Sequence, residues 1–286
     1  MDIIEEFKEL VMIDSASGQE RAIADVLTAK LRALGFTVTE DRAGDTFGGN
    51  TGNLTAVREG DRPGAILFCS HMDRVANGLH IRPREKDGCL VSDGTTILAA
   101  DDVSGICAIL DGVRRALASR KPLPRLEIAF TVGEESGLWG GRALDLSRFQ
   151  SPFCYVMDSP GTLGRLINGA PGLAKLQAEI LGKAAHAGNE PEKGINAAHI
   201  LCHILDTLKD GRLDEETVAN FPLMGTGNTA TNIVCDRAWV KGESRSRNRE
   251  KLEAYMDYFQ HHCQEAAAGT GARVSTAAVI SFAPFQ

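Results

Sequence analysis

The stretch "AILFCSHMDRVANG", residues 65–78, places one histidine and one aspartate directly behind an apolar run that predicts a buried strand. Side chains two positions apart point to the same face of a strand. His71 and Asp73 therefore direct an imidazole and a carboxylate to one spot at the strand end. A histidine in such a position is more often hydrogen-bonded structure than a metal ligand, so a functional interpretation depends on the rest of the sequence.

Strand and helix patterns alternate on both sides of this stretch. The predicted strands lie at 36–40, 53–57, 65–69, 126–132 and 153–157. The predicted helices lie at 3–13, from the end of "SGQE" (17–20) to about 34, and at 101–120. "SGQE" itself is interpreted as a capping box, in which Ser17 bonds the N3 amide and Glu20 reaches back. The alternation predicts an α/β layer structure with a largely buried sheet.

The pattern changes near residue 169 and predicts a second domain. The predicted order is a strand at 173–182, a helix at 194–208, strands at 230–236 and 237–246, a helix at 249–268 and a strand at 272–282. The order β-α-β-β-α-β is typical of a ferredoxin-like sandwich. The chain is therefore expected to contain two α/β domains.

Composition limits the classes of function. The 286 residues are 43% hydrophobic, enough for a sizeable core in about two domains. The formal net charge of -7 disfavours binding to nucleic acid or to a membrane surface, since both require a basic face. The seven cysteines form no CxxC pair and fit a reducing compartment. Neither a signal peptide nor a long apolar span is recognisable, so we expect a cytoplasmic protein.

Acidic residues follow three other apolar segments. Asp101 and Asp102 lie in "LAADDVSG" before a predicted helix, while Glu134 and Glu135 in "TVGEESG" and Asp158 in "YVMDSPG" end predicted strands. Each alone fits a helix cap or a loop acid. Together they would crowd negative charge into the crevice where open α/β sheets bind ligands, which requires protons or cations. One imidazole with several carboxylates suits zinc, cobalt or manganese, and two ions would balance the charge.

The order of these motifs resembles a known enzyme family. HxD, then ADD with a small residue and glycine, then GEE, then a strand-ending Asp is similar to the di-zinc metallopeptidases related to peptidase T. Their wider family includes carboxypeptidases, dipeptidases, succinyl-diaminopimelate desuccinylase and acetylornithine deacetylase. "GKAAHAGNEPEKGINAAHI", "TATNIV" and "GESRSRNREKLE" extend the resemblance over nearly the whole chain. It implies a zinc-exopeptidase-type α/β domain at 1–168 and a ferredoxin-like βαββαβ lid domain at 169–286.

The resemblance also implies roles for individual residues of the first domain. It implies four ligands for two zinc ions: His71, Asp101, Glu135 and Asp158. Asp101 would bridge both ions, and Asp73 would orient His71 through its second ring nitrogen. Glu134 would be the general base that takes a proton from water and passes it to the leaving amine.

In the lid domain, the resemblance implies three further functional residues. His186 would help to stabilise the tetrahedral oxyanion, in dimeric members often from the neighbouring subunit. Asn232 and Arg245 would bind the backbone or terminal carboxylate of a short peptide substrate. Without the family, Arg245 fits a surface charge on a strand. The lid also implies a homodimer.

The sequence departs from the family at its end. In these enzymes the chain returns to the first domain and adds a final histidine beside Glu135, whereas here it stops at "VISFAPFQ". Three explanations are open: a shortened form of an active enzyme, a natural short relative that is inactive or binds one metal, or a chain completed by a partner. The expected activity is release of an N-terminal residue from short peptides. The alternatives are N-acyl amino acid deacylation and a catalytically impaired metal-binding or dimerisation module.

Overall fold

A computed structural model describes residues 2–159 and 161–285 of the chain. It forms two compact units, divided between Thr162 and Leu163. This division lies six residues before the boundary expected from the sequence, at 168/169. Each unit contains its own sheet and its own cluster of buried apolar side chains.

The first unit alternates helices and strands. Its helices are α1 (Ile3–Val11), α2 (Arg21–Ala33), α3 (Ala100–Ala118) and α4 (Trp139–Ala143). Its strands are β1 (Thr37–Glu40), β2 (Leu54–Arg58), β3 (Ala65–His71), β4 (Arg84–Lys86), β5 (Cys89–Val91), β6 (Arg125–Thr131) and β7 (Cys154–Val156). Short 3₁₀ helices lie at Ala43–Thr46 and Leu146–Arg148.

Five of these strands form one mixed sheet in the order β1-β2-β6-β3-β7. Strand β3 is parallel to both β6 and β7, whereas β2 pairs antiparallel with β1 and β6. Parallel strands end at the same edge of a sheet. The segments that follow β3, β6 and β7 therefore emerge side by side, and they carry His71, Glu134–Glu135 and Asp158.

The core of the first unit lies between this sheet and the helices. In α3 the apolar residues Val103, Ile106, Leu110 and Val113 are buried, at the three- and four-residue spacing of an amphipathic helix. Burial of such side chains supplies most of the stability of the domain. Among the described residues, no helix is long and apolar enough to cross a membrane.

The edge strand β7 has an exposed apolar surface. Its residues Tyr155 and Val156 are 37% and 60% exposed, and the flanking Phe153 and Met157 are 54% and 38% exposed.

The second unit has the predicted ferredoxin-like arrangement. Its elements are β8 (Gly172–Leu181), α5 (Ala197–Thr207), β9 (Gly211–Arg212), β10 (Thr217–Thr226), β11 (Arg237–Ser246), α6 (Arg249–Ala266) and β12 (Arg273–Phe282), with a 3₁₀ helix at Pro191–Lys193. The sheet order is β12-β8-β11-β10-β9, and all neighbours are antiparallel. Without the two-residue β9, this is the βαββαβ order expected from the sequence.

One strand of this unit was predicted at the wrong position. The segment 230–236 forms no strand apart from a single bridge at Ile233, and the strand that precedes β11 is β10, at Thr217–Thr226. Pro222 lacks an amide hydrogen and interrupts the apolar pattern of β10. The chain accommodates it at a register shift between Asn220 and Leu223.

Candidate metal centre

Four segments bring the predicted ligands to one edge of the first sheet. His71 is the last residue of β3, the Glu134–Glu135 pair follows β6, and Asp158 follows β7. Asp101 lies in the first turn of α3. Side chains separated by as much as 87 positions in the sequence (158 minus 71) therefore meet because the three strands are parallel neighbours.

The distances at this edge are suited to a cation. His71 Nε2 lies 3.0 Å from Asp101 Oδ1 and 3.9 Å from Asp158 Oδ2. One ligand atom from each of these three residues lies within 4.8 Å of the others, and the same holds for His71, Glu134 and Glu135. The two groups share the imidazole. The donor set, one imidazole nitrogen with several carboxylate oxygens, fits divalent zinc, cobalt or manganese.

The electrostatics of the site indicate an excess of negative charge. Burial raises the pKa values of Glu134, Glu135 and Asp158, and the charge of neighbouring carboxylates raises each of them further. Burial opposes protonation of His71, but hydrogen bonding to Asp73 and the surrounding carboxylates raise its pKa to about 10. Acids that are held close together and resist ionisation are compensated by a bound cation.

The two adjacent aspartates at the start of α3 serve different purposes. Asp101 and Asp102 have non-helical backbone angles, and the side chain of Asp101 is 67% exposed and lies 3.0 Å from His71 Nε2. Asp102 is buried, accepts a hydrogen bond from the Ser70 hydroxyl and faces the His71 amide at 3.4 Å. Burial raises the pKa of Asp102 to about 7. Asp102 therefore connects α3 to β3, while Asp101 is available to a cation.

Gly105 makes this connection sterically possible. A Cβ atom at Gly105 would lie 2.3 Å from Asp102 Oδ1 and 2.9 Å from Met157 Cβ, whereas a Cβ at Gly112, in the same helix, would meet nothing within 4 Å. We expect Gly105→Ala to destabilise the chain by about 1–3 kcal/mol through overpacking and to weaken metal binding. Gly112→Ala should stabilise it by about 0.5–1 kcal/mol. Denaturant unfolding and zinc titration of both variants test this; equal unfolding free energies would contradict it.

Asp73 connects the histidine to the glutamate pair. His71 Nδ1 lies 3.0 Å from the Asp73 backbone carbonyl and 3.3 Å from its carboxylate. The same carboxylate accepts hydrogen bonds from the amides of Glu134 and Glu135, at 2.9 and 3.2 Å, and from the Ser17 hydroxyl at 2.6 Å. Burial alone would raise the pKa of Asp73, but these partners lower it. Asp73 is thus held as a charged acceptor beneath the metal-ligand cluster.

Ser17 and Glu20 have hydrogen-bond partners that differ from those predicted from the sequence. The predicted capping box is wrong: Glu20 is the residue before α2 and makes no side-chain capping hydrogen bond. Instead, Ser17 donates to Asp73, and Glu20 Oε1 accepts from the Gly133 amide at 2.9 Å. The S-x-x-E spacing before a helix is the same in both arrangements, so the local sequence contains no signal that distinguishes them.

The three predicted lid residues, His186, Asn232 and Arg245, all lie in the second unit. The exposed residues His186 and Asn232 lie together, because Ala187 donates to the Asn232 carbonyl and a bridge joins His186 to Ile233. Arg245 is exposed on β11 and pairs with Glu243 at 2.8 Å. It lies eight residues beyond Arg237, about 26 Å along the strand, near the opposite end of the lid sheet. Within one copy, the structure does not bring Arg245 together with the other two.

Comparisons with known families give a match in each unit. Residues 53–159 match the family model of peptidase family M28, and residues 168–271 match that of the peptidase dimerisation domain of the M20 peptidases. The first range contains all four predicted metal ligands and Glu134. The second contains His186, Asn232 and Arg245.

Individual relatives match almost the whole chain. Uncharacterized protein YqjE of Bacillus subtilis (strain 168) is 41% identical over 285 residues, which are 99% of this chain and 76% of the relative. The crystal structure of aminopeptidase PepT from Bacillus cereus ATCC 10987 superposes with a TM-score of 0.95 at 39% identity, and a tripeptidase from Staphylococcus aureus subsp. aureus Mu50 with 0.93 at 33%. Each of the two superpositions covers 99% of this chain and 76% of the solved structure's chain.

Proposed function

We propose, from the premise that this chain belongs to the peptidase T-like branch of the M20 metallopeptidases, that it releases the N-terminal residue from short peptides in a metal-dependent hydrolysis. The observation that carries the proposal is the convergence of His71, Asp101 and Asp158 with the Glu134–Glu135 pair at one sheet edge. The similar structures include an aminopeptidase and a tripeptidase, which supports a peptide as the substrate.

Four side chains would hold the cations in this proposal: His71, Asp101, Glu135 and Asp158. Two divalent ions fit the charge of the cluster, with zinc as the expected metal and cobalt or manganese as substitutes. When bound, such ions supply Lewis acidity that polarises the scissile carbonyl and lowers the pKa of the attacking water. Asp73 would keep the His71 ring in the orientation that leaves Nε2 free for a ligand bond.

Glu134 would act as the general base. Its amide is fixed by Asp73, and its half-buried carboxylate lies in the cluster without being needed as one of the four ligands. Burial and the negative charge around it raise its pKa, which brings it closer to the value suited to proton transfer near neutral pH. It would accept the proton of the attacking water and deliver it to the amine of the leaving product.

The lid residues would bind the substrate. His186 can donate to the developing oxyanion, and the planar guanidinium of Arg245 is suited to a peptide carboxylate. Since His186 and Asn232 lie near one end of the lid sheet and Arg245 near the other, a homodimer would allow two copies to complete one substrate site. The match to a peptidase dimerisation domain supports this assembly.

Hydrolysis of a tripeptide by the zinc-loaded chain tests the proposal directly. We expect release of the N-terminal amino acid, loss of turnover with a chelator, and recovery when zinc or cobalt is restored, because the proposed ligands are mainly carboxylates whose charge a bound cation balances. Amino acid analysis of the products identifies the released residue. Hydrolysis of N-acyl amino acids in place of tripeptides, or bound metal without any turnover, would contradict the proposal and favour a deacylase or a non-catalytic module.

A further inference from the structure

Four consecutive backbone amides, those of Val132–Glu135, are each bound by a side-chain acceptor. Asn53 Oδ1 accepts from the first amide at 3.1 Å, and Glu20 Oε1 accepts from the second at 2.9 Å. Asp73 accepts the last two through its separate carboxylate oxygens, at 2.9 and 3.2 Å. We call the side chains of Asn53, Glu20 and Asp73 the amide clamp.

The clamp replaces strand pairing at the point where β6 ends. The last ladder residue of β6 is Thr131, and the amides beyond it would otherwise need partners in a neighbouring strand or water. The three acceptors come from separate segments: before α2, before β2 and after β3. All three residues are 0–1% exposed. Loss of a buried acceptor of this kind leaves an unsatisfied donor, which destabilises the segment.

Two further features fix the geometry of the amide clamp and of the backbone that it binds. Asn53 Nδ2 donates to Asp41 at 2.8 Å and to the Gly140 carbonyl at 2.9 Å, which fixes the direction of its Oδ1. Gly133 has a φ of +59°, and a Cβ there would lie 2.7 Å from the Trp139 ring. The backbone from Val132 to Glu134 is therefore held in one well-defined conformation.

We propose that Glu20 and Asn53 are positioning residues for Glu134 and Glu135. Their hydrogen bonds described above go to backbone groups and to Asp41, and they fix the backbone from which the base and a ligand project. A catalytic side chain must be held within about 0.5 Å of its productive position, which a strand end alone does not provide. This inference rests on the proposed function for the role of Glu134, but the clamp can be tested without turnover.

Amide hydrogen exchange of the metal-free chain is the first test. Glu20→Ala should accelerate exchange in the segment 132–135 by about tenfold, because the second amide of the clamp loses its acceptor. Glu20→Gln retains an acceptor oxygen and should stay within about threefold of the wild type. The matched control is Glu127→Ala: Glu127 is equally buried in β6 and accepts the amides of Gln150 and Ser151 at 2.9–3.1 Å, away from the metal-ligand cluster.

Cobalt-loaded protein provides the second test. Glu20→Ala should change the visible absorption spectrum of bound Co²⁺ and lower kcat for a tripeptide about tenfold with little change in KM, and Glu20→Gln should restore both. Glu127→Ala should lower the melting temperature and leave the spectrum unchanged. Unaltered exchange at 132–135 in Glu20→Ala, or identical effects of Glu20→Ala and Glu127→Ala, would overturn the inference. Altered exchange and spectrum in a chain that hydrolyses no peptide would retain the clamp and reject the proposed function.

Discussion

Replacement of Glu134 by alanine is expected to lower kcat for tripeptide hydrolysis by about a hundredfold to ten-thousandfold while the metal content stays nearly unchanged. The reason is that the proposed ligand set uses Glu135 and leaves Glu134 free to move a proton. The amides of both residues are bound by Asp73, so removal of the Glu134 side chain leaves the backbone of Glu135 in place. Metal analysis after dialysis and steady-state kinetics on the same preparation measure the two quantities.

The adjacent glutamate is the matched control for this prediction. Glu135→Ala should lose bound metal together with activity, because it removes a proposed ligand from the same turn. Both side chains are half-buried, so differences in folding between the two variants should be small. If Glu134→Ala loses metal and activity together, the base and the ligand have been assigned the wrong way round.

Asp101→Ala is expected to have the second large effect, on metal binding itself. Asp101 lies 3.0 Å from His71 Nε2, and it is one of the four side chains that would hold the cations. We expect the affinity for zinc to fall by more than about 100-fold, beyond the 10- to 100-fold cost of losing an outer partner of a metal ligand. Activity should fall below detection at zinc concentrations that saturate the wild type. Isothermal titration with zinc provides the affinity.

This loss should occur without damage to the metal-free fold. The side chain of Asp101 is 67% exposed, and its removal relieves repulsion among the carboxylates around His71. The melting temperature of metal-free Asp101→Ala should therefore equal or exceed that of the wild type. Asp102→Asn is the comparison: it keeps an acceptor for Ser70, and it should bind zinc nearly as well as the wild type. Wild-type zinc affinity in Asp101→Ala would remove Asp101 from the ligand set.

Much of the candidate site could be predicted because its chemistry lies at strand ends. His71, Glu134 and Asp158 each follow an apolar run, and the run locates the strand while the polar residue locates its end. Parallel pairing then places the three ends at one edge, as the register of β3 with β6 and β7 shows. The sequence does not contain the distances between the ligand atoms. Only the structure shows that these atoms lie close enough together to bind one cation.

The elements that the sequence did not reveal depend on long-range partners. Glu20 and Asn53 have ordinary local surroundings, a helix start and a strand start, and their amide partners lie 113 and 79 positions away. Strand β10 was missed because Pro222 interrupts its pattern, and only pairing with β11 around a bulge makes it a strand. The separation of Arg245 from His186 likewise follows from the strand register, which single residues do not encode.

The two oxygens of the Asp73 carboxylate bind two neighbouring amides, and the same carboxylate faces the His71 imidazole. This edge of the sheet is therefore a thermodynamically coupled unit. Substitutions at Ser17 and His71 would each remove a side-chain partner of this one carboxylate, so their free energies should combine non-additively in double-mutant cycles. Variation among natural or engineered relatives at these positions should consequently occur in concert, with compensating exchanges in segments that are remote along the polypeptide.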